Sequence, residues 1–399
     1  MKTGWETVRL GELCKTSSGG TPLKSKKEYY EGGTIPWLLS GEVAQGEIIQ
    51  ATNFITQKGL ENSSAKLFPP NTVLVAMYGA TAGQVGVLRI EASTNQAVCG
   101  IFPNEYFVPE FLFYLLLSRK DELIAKAAGN AQPNISQQKI RDTLVPIVPL
   151  PDQQRIVDIL DEAFETIATA RANAEQNRQN SRALFESYLQ SVFSLRGDGW
   201  TEKPLGEMAT FRNGVNFTKS SQGEPIKILG VKDFQDYYWA PLNSLDSIIP
   251  DGTLPDTDTL QQNDIIFVRS NGNPELIGRC LLIGEVQERT TFSGFTIRAR
   301  RFTDEVLPQY LCHFLKSSHI RRELVDGGNG ANIRSLNQGA LSKLRINFPV
   351  ALSEQERIVE QLETMQSETQ HLESLYQRKI AALDELKQSL LQQAFSGQL

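Results

Sequence analysis

The chain contains itself twice. GWETVRLGEL at 4–13 returns as GWTEKPLGEM at 199–208, and NTVLVAMYGATAGQVGV from Asn71 returns as NDIIFVRSNGNPELIGR from Asn263. PEFLFYLL at Pro109 recurs as PQYLCHFL at Pro308, AQPNIS at Ala131 as GANIRS at Gly330, and LPDQQRIVDIL at Leu150 as LSEQERIVEQL at Leu352. Five matches in the same order, at offsets of 192 to 202 residues, make the chain a tandem of two like units. Its 399 residues are also too many for one ordinary core and suit two.

Each unit changes texture partway along. Residues 1–150 and 199–350 hold short β-rich runs such as TVLVAMY, GVLRI, DIIFV and FTIRAR between Gly, Asn and Pro. They are expected to be α/β globular modules. Residues 151–198 and 351–399 then carry uninterrupted helical patterns, Asp152–Ser194 and Glu354–Ser396, which align over 43 residues without a gap. Apolar positions step by fours and threes. The first helix shows Ile156, Leu160, Ala163, Ile167, Ala170, Ala174, Leu184 and Tyr188; the second shows Ile358, Leu362, Met365, Leu372, Tyr376, Leu383, Leu386 and Leu390. A heptad seam asks for a long partner, most simply the other helix. Polar interruptions fall at Asn177, Ser181 and Lys379. Such helices extend roughly 65 Å, nearly two turns of B-DNA at roughly 34–36 Å each. Antiparallel pairing would relate the modules by a pseudo-two-fold axis and let the pair measure a gap.

The net charge of −6 argues against a nucleic-acid binder only until it is localised. Residues 1–150 carry 14 basic and 13 acidic side chains and residues 196–350 carry 18 of each, whereas 151–195 and 351–399 carry 4 against 7 and 4 against 8. The acidity sits in the helices, and balanced modules still have room for a local basic face. Cys14, Cys99, Cys280 and Cys312 are far apart with no CxxC, which predicts reduced thiols and no structural zinc. The start lacks the apolar core of a signal peptide and no stretch is apolar enough for a membrane span, so a cytoplasmic location is expected.

Catalytic constellations are missing from the sequence. There is no GxxxxGK[ST] loop, no GxGxxG after a strand, no HExxH, no Gly-x-Ser-x-Gly elbow and no Asn- or Asp-Pro-Pro-aromatic tetrapeptide. His313, His319 and His371 are scattered, and Asp256/Asp258 and Asp161/Glu162 read as solvated carboxylates. Recognition chemistry remains. In FTIRAR, alternation puts Phe295, Ile297 and Ala299 on one face and Thr296, Arg298 and Arg300 on the other. With Arg301 this makes either a basic edge for phosphate or guanine, or a plain solvated strand face. RSNGN places Arg269, Asn271 and Asn273 on what reads as a type I′ hairpin turn, where Asn also suits adenine. SSGGTPLKSKK reads as a flexible stretch ending in Lys24, Lys26 and Lys27, either a backbone clamp or a solvated loop. YGATAGQ carries Tyr78, Thr81 and Gln84 between two strands, and Lys219 and Arg279 complete the candidate DNA contacts. A scaffold that never touches DNA and an enzyme of unrecognised type are the competing classes.

The chain resembles the specificity subunit of type I restriction–modification systems over its whole length. The marks are GGTP at Gly19, IPWLLSGE at Ile35, YGATAGQVG at Tyr78, TNQAV at Thr94 and LPDQQRIVDILD at Leu150, then NGVNF at Asn213, ILGVKDF at Ile228, NDIIFVRSNGNPELIGR at Asn263 and LSEQERIV at Leu352. The second helix has Ala-Leu-Ser where many members carry prolines before the Gln-x-Arg-Ile-Val run. The resemblance implies two target-recognition domains, each followed by a long helix, the helices pairing as an antiparallel coiled coil. It also implies partners: double-stranded DNA, two adenine methyltransferase subunits and ATP-dependent restriction subunits. S-adenosylmethionine, ATP and magnesium would then sit on those partners and none on this chain, which would not itself be catalytic.

Overall fold

The computed structural model describes residues 5–125, 134–194, 197–218, 221–235, 238–326 and 335–396. They form two units, Met1–Ala174 with Arg378–Leu399, and Glu175–Gln377. Each unit therefore owns one globular part and about half of each long helix. The helices span Leu150–Ser194 and Leu352–Ser396.

In the first unit, β1 (Thr16–Ser18), β2 (Val73–Ala76), β3 (Val85–Leu88) and β4 (Val98–Ile101) form a sheet in the order β1-β4-β2-β3, each of these pairs antiparallel, and the short strand Glu47–Ile48 adds to β3 in parallel. Strands β2, β3 and β4 are buried at every position. Such runs belong to a sheet covered on both faces. One face packs on α1 (Pro109–Ser118) and on the long helices through Ile156, Leu160 and Phe395. The other packs on Leu38, Val43 and Phe68. A smaller sheet pairs Ile35–Leu38 in parallel with Ala92–Thr94.

The second unit repeats this topology. Strands β5 (Ala209–Asn213), β6 (Ile265–Val268), β7 (Cys280–Leu282) and β8 (Thr296–Arg301) take the order β5-β8-β6-β7, again antiparallel. Helix α2 (Pro308–Lys316) covers one face, and Ile226–Leu229 runs parallel to Thr290–Phe292 in the smaller sheet. Correspondence reaches the backbone. Asn71 (φ 68°) and Asn263 (φ 70°), one just ahead of β2 and the other just ahead of β6, are the only non-glycine residues with positive φ among the described residues. Asparagine tolerates that left-handed turn better than other side chains.

Each long helix begins beside a buried glutamine that the sequence reading did not single out. Gln153 donates from Nε2 to the carbonyls of Tyr106 (2.7 Å) and Val148 (2.8 Å) and accepts from Val108 N (2.9 Å). Gln355 makes the same set with Glu305 (2.8 Å), Pro349 (2.7 Å) and Leu307 N (2.8 Å). Both side chains are fully buried and all three bonds hold a loop to the helix start. Spacing shows a glutamine in each RIV run, but only packing shows that it faces inward.

The helices run antiparallel within each unit. Ile156 and Leu160, early in the first, pack with Leu391, Ala394 and Phe395, late in the second. Leu189 and Val192, late in the first, pack with Ile358 and Leu362, early in the second. Arg171 reaches Asp384 at 3.1 Å in one unit, and Arg182 pairs with Glu373 in the other. Ile167 is buried, while Tyr188, Leu383 and Leu390 are half-buried. Three expected seam residues face water instead: Leu184 is 50% exposed, Leu386 46% and Leu372 36%. Phe185, Lys387 and Glu373, each one residue on, are half-buried in their place. A helix with 3.6 residues per turn drifts about 20° per heptad against a 3.5 repeat, enough to move the inner face on by one residue.

Candidate nucleic-acid interface

Strand direction collects the unused loops at one end of each sheet. In the first unit the chain leaves β1 and β2 and enters β4 at the same end. Gly19–Lys27, Tyr78–Gln84, Thr94–Ala97 and Asn134–Ser136 therefore meet there. Their backbone joins them: Gly20 N donates to Thr94 O (2.8 Å), Met77 N to Ala97 O (2.7 Å) and Ile135 N to Met77 O (2.9 Å). Trp37 Nε1 donates to Gly20 O at 3.0 Å, so three of the family-like marks, GGTP, IPW and TNQAV, are one contact. Gly19 and Gly20 are buried, and a Cβ on either would overlap backbone of Thr94 and Asn95 or of Ser64 and Ala65. The stretch expected to be a flexible clamp is thus packed as far as Pro22. Glycine is needed there for close approach.

Beyond Pro22 the three lysines are exposed. Lys26 Nζ donates to Tyr29 Oη at 3.2 Å and lies 5.2 Å from its ring centre, and Lys27 faces Glu31 at 3.8 Å. Tyr78 is 39% exposed, and Thr81 Oγ1 donates to its carbonyl at 3.4 Å. Gln84 is half-buried at the base of the hairpin, where its carbonyl accepts from Ala76 N at 2.9 Å.

The second unit presents the same end with different side chains. Gly214 N donates to Thr296 O (3.1 Å), Arg269 N to Phe295 O (2.8 Å) and Leu336 N to Arg269 O (2.8 Å). Here Asn216, Phe217, Arg269, Asn271 and Phe295 surround the loop cluster, of which the sequence reading nominated only Arg269 and Asn271. Phe217 and Phe295 lie in motifs the sequence shows plainly, but alternation along FTIRAR places Phe295 only on the strand face opposite the arginines. It is 60% exposed because it sits on the turn before β8, not in the strand.

Several expectations change here. The Asn-Gly pair does not form a type I′ turn, because neither Asn271 nor Gly272 has positive φ. Instead Asn271 Oδ1 accepts from Asn273 N (2.8 Å), Asn273 Oδ1 accepts from Glu275 N (3.0 Å), and a short 3-10 turn follows. The left-handed residue is Gly278 (φ 77°), matched by Gly83 (φ 78°) in the first unit. Arg279 follows it in the place Gln84 holds, at the base of the same hairpin, and lines a cavity with Lys316, Arg321 and Glu186.

Arg298, Arg300 and Arg301 form no exposed basic edge. β8 is an inner strand with both faces covered, so simple alternation of buried and solvated residues fails. Arg298 is 5% exposed and donates to the carbonyls of Thr257 (2.8 Å) and Thr259 (3.1 Å). Arg300 forms a two-pronged pair with Asp264, and Arg301 donates to Thr303 O at 2.9 Å. Burial holds the Arg298 and Arg301 guanidiniums below their usual range. Lys219 lies outside the described residues.

No described helix is long and apolar enough to cross a membrane, and no cluster of three metal-ligating side chains occurs among the described residues. His313, buried on α2, is pushed down to about 3 by burial and by nearby Lys316.

Comparison with known proteins fits this geometry. A relative from Escherichia coli, the EcoR124I/EcoR124II specificity subunit, is 29% identical over 197 residues, which is 48% of this chain and about half (48%) of that relative. The StySPI specificity subunit from Salmonella potsdam is 24% identical over 99% of this chain and 89% of its own. Among solved structures, one from work on complex assembly and conformational transition of the type I R-M system aligns with a TM-score of 0.80 at 20% identity, covering 99% of this chain and 98% of that one. The HsdS subunit from Thermoanaerobacter tengcongensis aligns at 0.63 with 21% identity, covering 100% and 98%. Because residues 2–176 and 197–380 both match the type I restriction modification DNA specificity domain, the chain belongs to that family.

Proposed function

We propose that each unit reads one half of a split, asymmetric DNA target and that the paired long helices set the unread gap between the halves. The family consists of non-catalytic recognition subunits, so target reading is this chain's share of the work. One observation carries the finer reading: the same loop cluster stands at the same end of the same sheet in both units, furnished with different side chains. A shared scaffold with different loops is what two different half-sites require. Phosphate contacts from exposed basic side chains would position each unit, and loop side chains would read base edges. The outer faces of the acidic helices would dock two adenine methyltransferase subunits, with ATP-dependent restriction subunits joining them in the cytoplasm. S-adenosylmethionine, ATP and magnesium would be held by those partners, and the adenine would be flipped into the methyltransferase.

Methylome sequencing after co-expression with the cognate methyltransferase subunit tests this. A split motif with a fixed gap is expected. A single continuous motif would overturn the two-reader model.

A further inference from the structure

In the second unit a tight turn at Ser293–Thr296 leads into β8, and its backbone is almost wholly used. Gly294 N donates to Val215 O (2.8 Å), Thr296 N to Ser293 O (2.8 Å), and Phe295 O accepts from Arg269 N (2.8 Å). Phe295 N donates to Ser293 Oγ at 3.3 Å. On this fixed turn the Phe295 ring stands 60% exposed, with Phe217 43% exposed in the neighbouring loop. Two polar side chains flank the turn. Arg269 Nη1 donates to Gly294 O at 3.4 Å, and the Asn216 amide lies where a Cβ on Gly294 would be.

A rigid aromatic beside Arg and Asn is a recognition surface rather than a packing device. The turn has little freedom left to lose on contact, which removes much of the ordering cost of binding. Among the groups on base edges in the major groove, the thymine methyl is the apolar one, and apolar side chains read it. At the equivalent position the first unit has no ring: the residue whose carbonyl accepts from Met77 N, as that of Phe295 accepts from Arg269 N, is Ala97, and the exposed aromatic there, Tyr78, stands on a different loop. A ring on this turn therefore belongs to the second reader only.

We propose that Phe295 is a specificity-determining residue of the second unit that contacts the 5-methyl group of a thymine in its half-site. This rests on the two-reader function above. A half-site that presents an adenine for methylation necessarily contains a thymine opposite it, so the ligand chemistry is available in the target.

The test uses the full chain co-purified with its methyltransferase subunits and duplexes in which each thymine is replaced, one at a time, by deoxyuridine. One position in the second half-site should weaken binding about fourfold, the worth of one buried methyl-sized group. In the Phe295→Ala complex that same replacement should have no further effect, while replacements in the first half-site behave as in the native complex. Equal losses in the native and variant complexes, or no sensitive position in the second half-site, would overturn the assignment. So would a variant that binds weakly with no link to any methyl, since that pattern indicates a ring wedged between base pairs. A continuous methylation motif, by contrast, would sink the two-reader function itself, independently of the deoxyuridine result.

Discussion

Arg300 and Asp264 are joined by two hydrogen bonds, Nε to Oδ1 at 2.8 Å and Nη2 to Oδ2 at 2.7 Å, with the carboxylate only 1% exposed. Asp264 also accepts from Gln261 N at 2.7 Å, and Arg300 donates to Thr259 O at 2.9 Å. Two adjacent strands and a loop of the second unit are thereby tied together inside it. Removing Arg300 strands the Asp264 carboxylate away from water, whereas Arg300 itself is 23% exposed. Arg300→Ala is expected to cost about 3 kcal/mol or more of that unit's stability, read by urea unfolding, while leaving the salt dependence of DNA binding unchanged. Asp264→Ala should destabilise less, because the guanidinium keeps contact with water. Normal stability with a flatter salt slope would return Arg300 to the DNA surface.

The lysines past Pro22 make the opposite prediction. Lys24, Lys26 and Lys27 are exposed and carry little of the fold. Changing all three to Ala should leave urea unfolding within about 0.5 kcal/mol. Each lysine that neutralises a phosphate should also reduce the log–log salt slope by about 0.9. An unaltered slope in a binding titration would remove the loop from the contact surface.

Gln153 and Gln355 each supply three hydrogen bonds in a dry site. Gln153→Ala leaves one N–H and two carbonyls unpaired. With a buried unsatisfied group costing about 1–3 kcal/mol, a loss of several kcal/mol is expected for either variant. Chemical denaturation measures it. A loss under about 1 kcal/mol would mean that water replaces the side chain.

His313 makes stability depend on acidity. Folded, it refuses a proton until about pH 3, whereas the unfolded chain takes one near the ordinary 6.5. Between those values the unfolded state binds more protons, so stability falls as pH falls and is fully present only above about 6.5. The slope approaches about 1.4 kcal/mol per pH unit for this one group. His313→Phe, in the place that Tyr114 holds in the first unit, should remove that component from an acid titration of stability. An unchanged acid limb would show that His313 titrates normally.

Deleting one heptad from both long helices at matched positions should shorten the unread gap by about 10 Å, or roughly three base pairs. Both half-sites should stay as they were. Methylome sequencing reads the outcome, and a changed half-site would show that the helices do more than set distance.

The tandem architecture, the two long helices and the α/β class were legible in the order of residues, because repeats and periodicity are local patterns that survive without coordinates. Much of the family resemblance was legible too, and GGTP, IPW and TNQAV prove to be a single contact made from three distant stretches. The candidate contacts were less legible. Lys24, Lys26, Lys27 and Tyr78 are exposed as a surface role needs, but Arg298 is buried and Phe295, on the strand face opposite the arginines by alternation, stands in water.

The repeat that opens the sequence thus determined how many units there are and what each contains. Which side chains each unit offers to solvent was decided only by tertiary structure. Alternation along a strand predicts its two faces, but not whether one or both are covered; β8 lies inside its sheet with both covered, so its arginines turn to Asp264 and to backbone carbonyls. The helical seam shows the same limit, since a period of 3.5 and a turn of 3.6 part company after a few turns and only the packed partner shows which residue faces in.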